Sequence, residues 1–145
     1  MDSRFRQCIE EKKLAKIDIQ MDLVGKEIKA AEFDLASAEK SLKEDNPKWA
    51  TVQAYYSMFH TAKALVYRKG YREKSHICLS IALRALYEDE MDAKHFERFR
   101  DCMNLRQDAD YGMIYSDKSA GTVIDWAREF LEGARGALKK QPPIA

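Results

Sequence analysis

The chain has 145 residues, 46% of them hydrophobic and 34% charged, with a formal net charge of +1. That length suits one domain with a sizeable core, and near-neutrality excludes a global field that recruits nucleic acid, so any RNA contact has to be a local patch. Six glycines and three prolines leave little material for the turns of an all-β fold, and no run approaches the ~18 apolar residues of a membrane span.

In chain order, Ser3 is placed to cap a short first helix reaching about Lys13, with Phe5, Cys8 and Ile9 as its apolar contacts. Residues 14–20 read as a connector pinned by Leu14, Ile17 and Ile19. Val24, Ile28, Ala31, Leu35, Ala38 and Leu42 then recur at spacings of four and three, which predicts an amphipathic second helix. Asn46 supplies an N-cap and Pro47 a first helical residue for a third helix over about 47–69. Its stripe of Val52, Tyr55, Tyr56, Phe59, Ala62 and Val66, with Met58 and Leu65 on a second edge, predicts neighbours on several sides. Gly70 ends it as a C′ residue. Ser75 caps a fourth helix to about Tyr87, Asp92 caps a fifth, and a last helix spans about 118–139.

No strand-like alternation is present. The expectation is an all-α, antiparallel up-and-down bundle of four to five main helices plus a short N-terminal helix. Its expected divisions are an extension at 1–20, the bundle at 21–140 and a disordered tail at 141–145. Cys8, Cys78 and Cys102 are odd in number and widely spaced in apolar patterns, so they read as buried thiols of a reducing cytoplasm rather than a disulfide framework. The N-terminus lacks a signal-peptide core, and the expected location is cytoplasmic, with no membrane partner.

The fifth helix carries an anomaly. Phe96, Phe99, Cys102, Met103 and Met113 fall on one stripe when advanced 100° per residue, and Arg106 and Asp110 project from the middle of it. Burying a lone charge costs many kcal/mol, so Arg106 has to be paired or to line a crevice or subunit interface. It reads either as an anion site or as a structural i,i+4 partner of Asp110, and the residues alone leave both open. A homodimer would resolve the conflict by pairing these charges at an interface. On the third helix, Trp49, Tyr56, His60 and Tyr67 share a flank with Lys63 adjacent, which suits either base stacking and phosphate contact or a wet edge of the core. Ser75 and His76 place donors at a helix N-terminus, where capping alone also explains the serine. Asp108 and Asp110 point about 200° apart on a helix and cannot share a metal. The histidines and cysteines show no zinc spacing, and no phosphate-binding glycine loop or nucleophile elbow exists. Neither metal nor cofactor is expected.

Several spaced segments together carry a resemblance. These are Ala30-Ala31-Glu32-Phe33-Asp34-Leu35-Ala36-Ser37-Ala38, the run Tyr55-Tyr56-Ser57-Met58-Phe59, a Gly-x-x-x-Lys-Ser-His turn from Gly70 to His76, and Arg106-Gln107-Asp108-Ala109-Asp110-Tyr111. Over roughly residues 22–139 the chain resembles the HEPN domain family, specifically its small stand-alone prokaryotic members. The resemblance implies a helical bundle, usually a homodimer, with a role near RNA cleavage or nucleotide binding. It also implies a toxin-like partner of a minimal nucleotidyltransferase, which in some systems adenylylates a tyrosine, here Tyr111. Ribonuclease members place a histidine four to six residues after the arginine. Tyr111 stands at that place here, and a group of pKa about 10 transfers protons poorly near neutral pH. Candidate catalytic residues are therefore Arg106, Asp110 and Tyr111, and candidate binding residues Tyr56, His60, Lys63, Ser75 and His76. The leading expectation is a dimeric module binding a nucleotide or RNA phosphate near Arg106. The alternatives are a ribonuclease toxin with an altered motif and a structural bundle without a ligand.

Overall fold

A computed structural model describes residues 2–109 and 116–144, apart from the side chains of 105–109. Among these residues the order is α1 (Ser3–Glu10), β1 (Leu14–Lys16), α2 (Met21–Lys43), α3 (Pro47–Arg68), β2 (Tyr71–Glu73), α4 (His76–Tyr87), α5 (Ala93–Ala109) and α6 (Asp117–Lys139). The architecture is the expected all-α bundle. Helices α2 and α3, joined by a three-residue link, form its antiparallel centre, and α6 packs across both. Helices α4 and α5 close the other side of α3.

Local chemistry explains most boundaries. The Asn46 side chain accepts from the Trp49 amide and Pro47 opens α3. Ser75 Oγ accepts from the Cys78 amide, and Asp92 Oδ1 from the Lys94 amide. Gly70 adopts φ +86°, and a Cβ there would sit 3.2 Å from the Ile17 carbonyl oxygen. The positive φ of the turn favours glycine, and a side chain would also crowd the backbone just after β1. The first helix departs from expectation at both ends. Asp2, not Ser3, is its cap, accepting from the Arg4 amide at 2.8 Å. Its helix stops at Glu10, because Lys12 takes a left-handed φ of 60°.

Residues 14–16 correct the connector reading. They pair antiparallel with Tyr71–Glu73, Ala15 opposite Arg72, in a two-stranded ribbon. Three-residue strands are too short for alternation to register in sequence, and the pairing is decided by the Gly70 turn that brings them together. The cysteine reading is corrected as well. Cys8 and Cys78 form a disulfide between α1 and α4, Cα atoms 5.9 Å apart, and Cys102 is the free, buried thiol. A separation of 70 residues hides such a pair from any spacing argument. Burial pushes the Cys102 thiol up to about 12.

Helix α3 runs through the core, with Met58, Ala62, Leu65 and Val66 fully buried. Tyr87 is buried too, and its hydroxyl donates to the Leu65 carbonyl at 2.6 Å. His95 lies 7% exposed against Phe130, rings 5.7 Å apart, and among the described residues its Nδ1 has no hydrogen-bond partner. Burial, reinforced by Lys94, holds its pKa below the ordinary imidazole value. At the C-terminal end, Arg68 donates to the Pro142 carbonyl and Gln141 to Glu90.

Candidate functional site

Four of the five residues singled out for binding gather around one ring. Phe59, a partly buried member of the α3 stripe, has Tyr56 at 6.1 Å, His60 at 5.6 Å and His76 at 4.7 Å between ring centroids. The Lys63 ammonium lies 5.2 Å from the same centroid. Tyr56 and Lys63 fall within one turn of Phe59 on α3, whereas His76 arrives from the first turn of α4. Ser75 is occupied as the cap of that helix. Of the other two aromatics of the flank, Trp49 separates from this group, while Tyr67 keeps its ring 5.7 Å from the Lys63 ammonium. Trp49 is 56% exposed at the start of α3, and Tyr67 is buried near its end. Tyr67 points its hydroxyl at Glu73 of β2, 3.3 Å away.

Helix α2 supplies the acids. Glu27 faces His60 Nδ1 at 2.5 Å and the Lys63 ammonium at 3.4 Å, and Asp34 faces His60 Nε2 at 3.6 Å. These groups are only 17–25% exposed, so water screens them weakly. Burial alone would raise the Glu27 pKa, but the His60 hydrogen bond and the Lys63 charge outweigh it and hold the carboxyl below its usual range. Lys63 responds in the same sense: burial opposes its charge, yet Glu27 keeps its pKa raised. For Asp34 burial prevails over the more distant His60, and its pKa is raised. The consequence is chemical. The Lys63 charge is met from within the fold, and both His60 ring nitrogens face carboxylates. Among the described residues, no group of three His, Cys, Asp or Glu side chains is arranged to hold a metal.

Glu27 and Asp34 were not among the candidate site residues. Their signal was available, since they lie seven residues apart and therefore on one face of α2. Nothing in sequence said that this face would meet His60, 33 and 26 positions away. Phe59 was assigned only to the core stripe, and its role as the shared ring depends on where α4 begins.

Arg106 falls in the last turn of α5, downstream of buried Phe99, Cys102 and Met103. Its side chain, together with Asp110 and Tyr111, lies outside the described residues. The apolar stripe leading to it is as expected. Phe99 stacks on Tyr55 at 6.1 Å and packs against Phe130 of α6 at 6.2 Å.

This fold defines a helical-bundle protein whose distinguishing segments are the aromatic α3 helix and the arginine-bearing end of α5. The chain matches the family model of the HEPN domain over residues 25–137, and it belongs to that family. It is 33% identical over 86 residues to "Putative toxin MJ0142" of Methanocaldococcus jannaschii, covering 58% of each chain. It is 28% identical over 116 residues to "Putative toxin MJ0605" of the same organism, covering 78% of this chain and 87% of that one. The chain thus spans little more than half of the first relative and most of the second. Helix α1 and strand β1 precede the matched region.

Proposed function

We propose that this chain is a toxin-like HEPN module that acts as a homodimer, holds a nucleotide or RNA phosphate near Arg106, and is partnered by a minimal nucleotidyltransferase. The toxin names of two relatives support the first part. The observation that carries the phosphate assignment is the α2 carboxylates. Glu27 and Asp34 answer His60 and Lys63, so the aromatic flank offers a phosphate little uncompensated charge. The guanidinium of the Arg-x-x-Ala-Asp-Tyr segment is then the better anion ligand, with its planar, bidentate donors.

Binding is favoured over rapid cleavage. Tyr111 replaces the motif histidine, and His60 is a poor substitute because carboxylates face both of its ring nitrogens. The test is a comparison of wild-type and Arg106→Ala protein for nucleotide binding, RNA binding and cleavage of cellular RNA. Lost binding with an unchanged melting temperature is the expected result. Strong destabilisation rescued by Asp110→Asn, with binding intact, would sink the assignment and leave Arg106 as a structural ion pair. Light scattering should report a dimer at micromolar concentration. Co-expression with a cognate nucleotidyltransferase should add AMP to Tyr111, read by mass spectrometry; modification only elsewhere, for instance on Tyr115, would move the acceptor site, and none at all would leave Tyr111 as a packing residue.

A further inference from the structure

The Cys8–Cys78 disulfide joins two helix ends of opposite polarity. Cys78 is the third residue of α4, in the first turn that the Ser75 hydroxyl caps, where the dipole is positive. Cys8 sits in the last turn of α1, where carbonyls and the negative end of the dipole lie. A thiolate is thus stabilised at Cys78 and disfavoured at Cys8. Both residues are buried, yet a hollow of about 250 Å3 opens against them, lined also by Arg4, Glu11 and Lys13. Each cation there stands beside a carboxylate, Arg4 by Asp2 at 3.3 Å and Lys13 by Glu11 at 3.9 Å. The asymmetry between the two sulfurs therefore comes from the helices and not from surface charge. The hollow adjoins a larger groove between α1, α4 and α5, rimmed by Arg4, Arg84 and Arg100, and α1 walls both. Little else holds α1. At eight residues it is too short to persist alone in water, and only Phe5 and Cys8 of its residues are buried. Phe5 meets Tyr71 of β2 edge-on at 5.3 Å, and β1 downstream is fixed separately by its pairing with β2.

We propose that the Cys8–Cys78 bond is a thiol-exchange site opened by a dithiol, and that its reduction releases α1 as an arm hinged at the turn before β1. A thiolate of the reductant attacks Cys8 Sγ and forms a mixed disulfide there. The Cys8–Cys78 bond breaks, and its electron pair leaves on Cys78, the sulfur better able to carry it. The second thiolate of the reductant then attacks the reductant sulfur of the mixed disulfide and frees Cys8. Two electrons and two protons have then passed to the protein, and the dithiol departs as its internal disulfide. Cys102 takes no part, because it is buried on α5 with its thiol pushed up to about 12 and supplies no thiolate near neutral pH. The hinge lies at Lys12, whose φ of 60° already breaks the chain direction between α1 and β1. Once the bond is open, α1 keeps little beyond the packing of Phe5. Its departure takes Arg4 from the groove and uncovers the Ile77–Ile81 side of α4. Helix α1 lies outside the family-matched residues 25–137, so the arm can leave while the HEPN domain stays folded. The proposal is independent of the Arg106 assignment.

The test has two arms, both on the full chain oxidised with glutathione disulfide. In the first, a brief pulse of the monothiol mercaptoethanol is quenched in acid, free thiols are alkylated with N-ethylmaleimide, and peptides are mapped by mass spectrometry. Mixed disulfide on Cys8 with maleimide on Cys78 should exceed the reverse pattern by roughly threefold or more. An even split, or the reverse in excess, overturns the exchange chemistry. In the second arm, hydrogen exchange is compared for the oxidised chain, the chain reduced by dithiothreitol, and Cys8→Ser/Cys78→Ser. Amides of α1 should exchange roughly tenfold or more faster in the last two, with α2, α3 and α6 unchanged. Unchanged protection of α1 overturns the arm, as does loosening of the whole bundle. Reduction by dithiothreitol that proceeds no faster than global unfolding, measured by urea jump, shows a structural bond and overturns the proposal. Failure of glutathione disulfide to form the Cys8–Cys78 bond overturns it too.

Discussion

The aromatic flank of α3 and the groove between α1, α4 and α5 are both basic, yet they differ in how closely carboxylates answer that charge. On the flank, Glu27 stands against His60 and Lys63, with Asp34 beyond. In the groove, Arg84 and Arg100 stand over Ile77, Ile81 and Met103 with no carboxylate in ion-pair reach among the described residues. A cation's availability is therefore decided by the helix opposite it. The two regions also differ in what holds them. The flank is part of the extensive α2–α3 interface. One wall of the groove is α1, an eight-residue helix fastened to α4 by the Cys8–Cys78 disulfide.

The largest effect expected from breaking this contrast comes from that disulfide. Closing a loop across 70 residues removes much of the unfolded chain's freedom, and opening it should cost about 2–4 kcal/mol. Thermal melts of the wild type with and without reductant measure this, and Cys8→Ser/Cys78→Ser should melt like the reduced protein. Hydrogen exchange should rise in α1 and leave the α2–α3 flank protected. Equal loosening of both regions would remove the distinction between them.

Glu27→Gln tests the flank directly. Leaving His60 and Lys63 without their carboxylate should destabilise the fold by about 1–2 kcal/mol, less than for a fully buried pair because the groups keep some solvent contact. It should also turn the flank into an anion site, raising affinity for phosphate or oligonucleotide. A denaturant melt beside a binding titration checks both, and unchanged affinity would mean that Glu27 does not mask this flank. The native pair is acid-labile in a defined direction. The Glu27 pKa is held below its ordinary 4.5, so its contribution is complete above that pH and is lost as pH falls through the native value.

A smaller pH effect belongs to His95, which packs against Phe130 of α6. Its folded pKa lies below the ordinary 6.5, so the unfolded chain takes up the proton first. Stability should be constant above about pH 6.5 and decline below it, and His95→Phe should flatten that part of the profile. Urea melts across pH 5–8 decide the matter. A decline that persists in the variant would move the titration elsewhere.

The smallest expected change is Tyr67→Phe, which removes the 3.3 Å contact with Glu73 and keeps the ring under Lys63. A loss of about 0.5–1 kcal/mol is expected, with ligand binding untouched. A larger loss would place the β2 contact, and not the Glu27 carboxylate, at the centre of the flank's stability.

Most of the helical frame was legible before any packing was known. Asn46-Pro47, Gly70, Ser75 and Asp92 act within a few residues of themselves, so capping chemistry is written locally. The periodicity of α2 and α3 is equally local, and the spaced family segments follow from those same elements. The short strands, the disulfide and the fate of the candidate cations were decided by tertiary contacts. Leu14 finds Glu73 and Cys8 finds Cys78 because the Gly70 turn and the docking of α1 bring them together. His60 and Lys63 carried the right chemistry for binding phosphate in sequence, and the packing of α2 onto α3 set a carboxylate between them. Arg84 and Arg100 carried no motif at all. They become a pair only where α4 and α5 lie side by side, because helix packing, and not spacing along the chain, determines which charges share a groove.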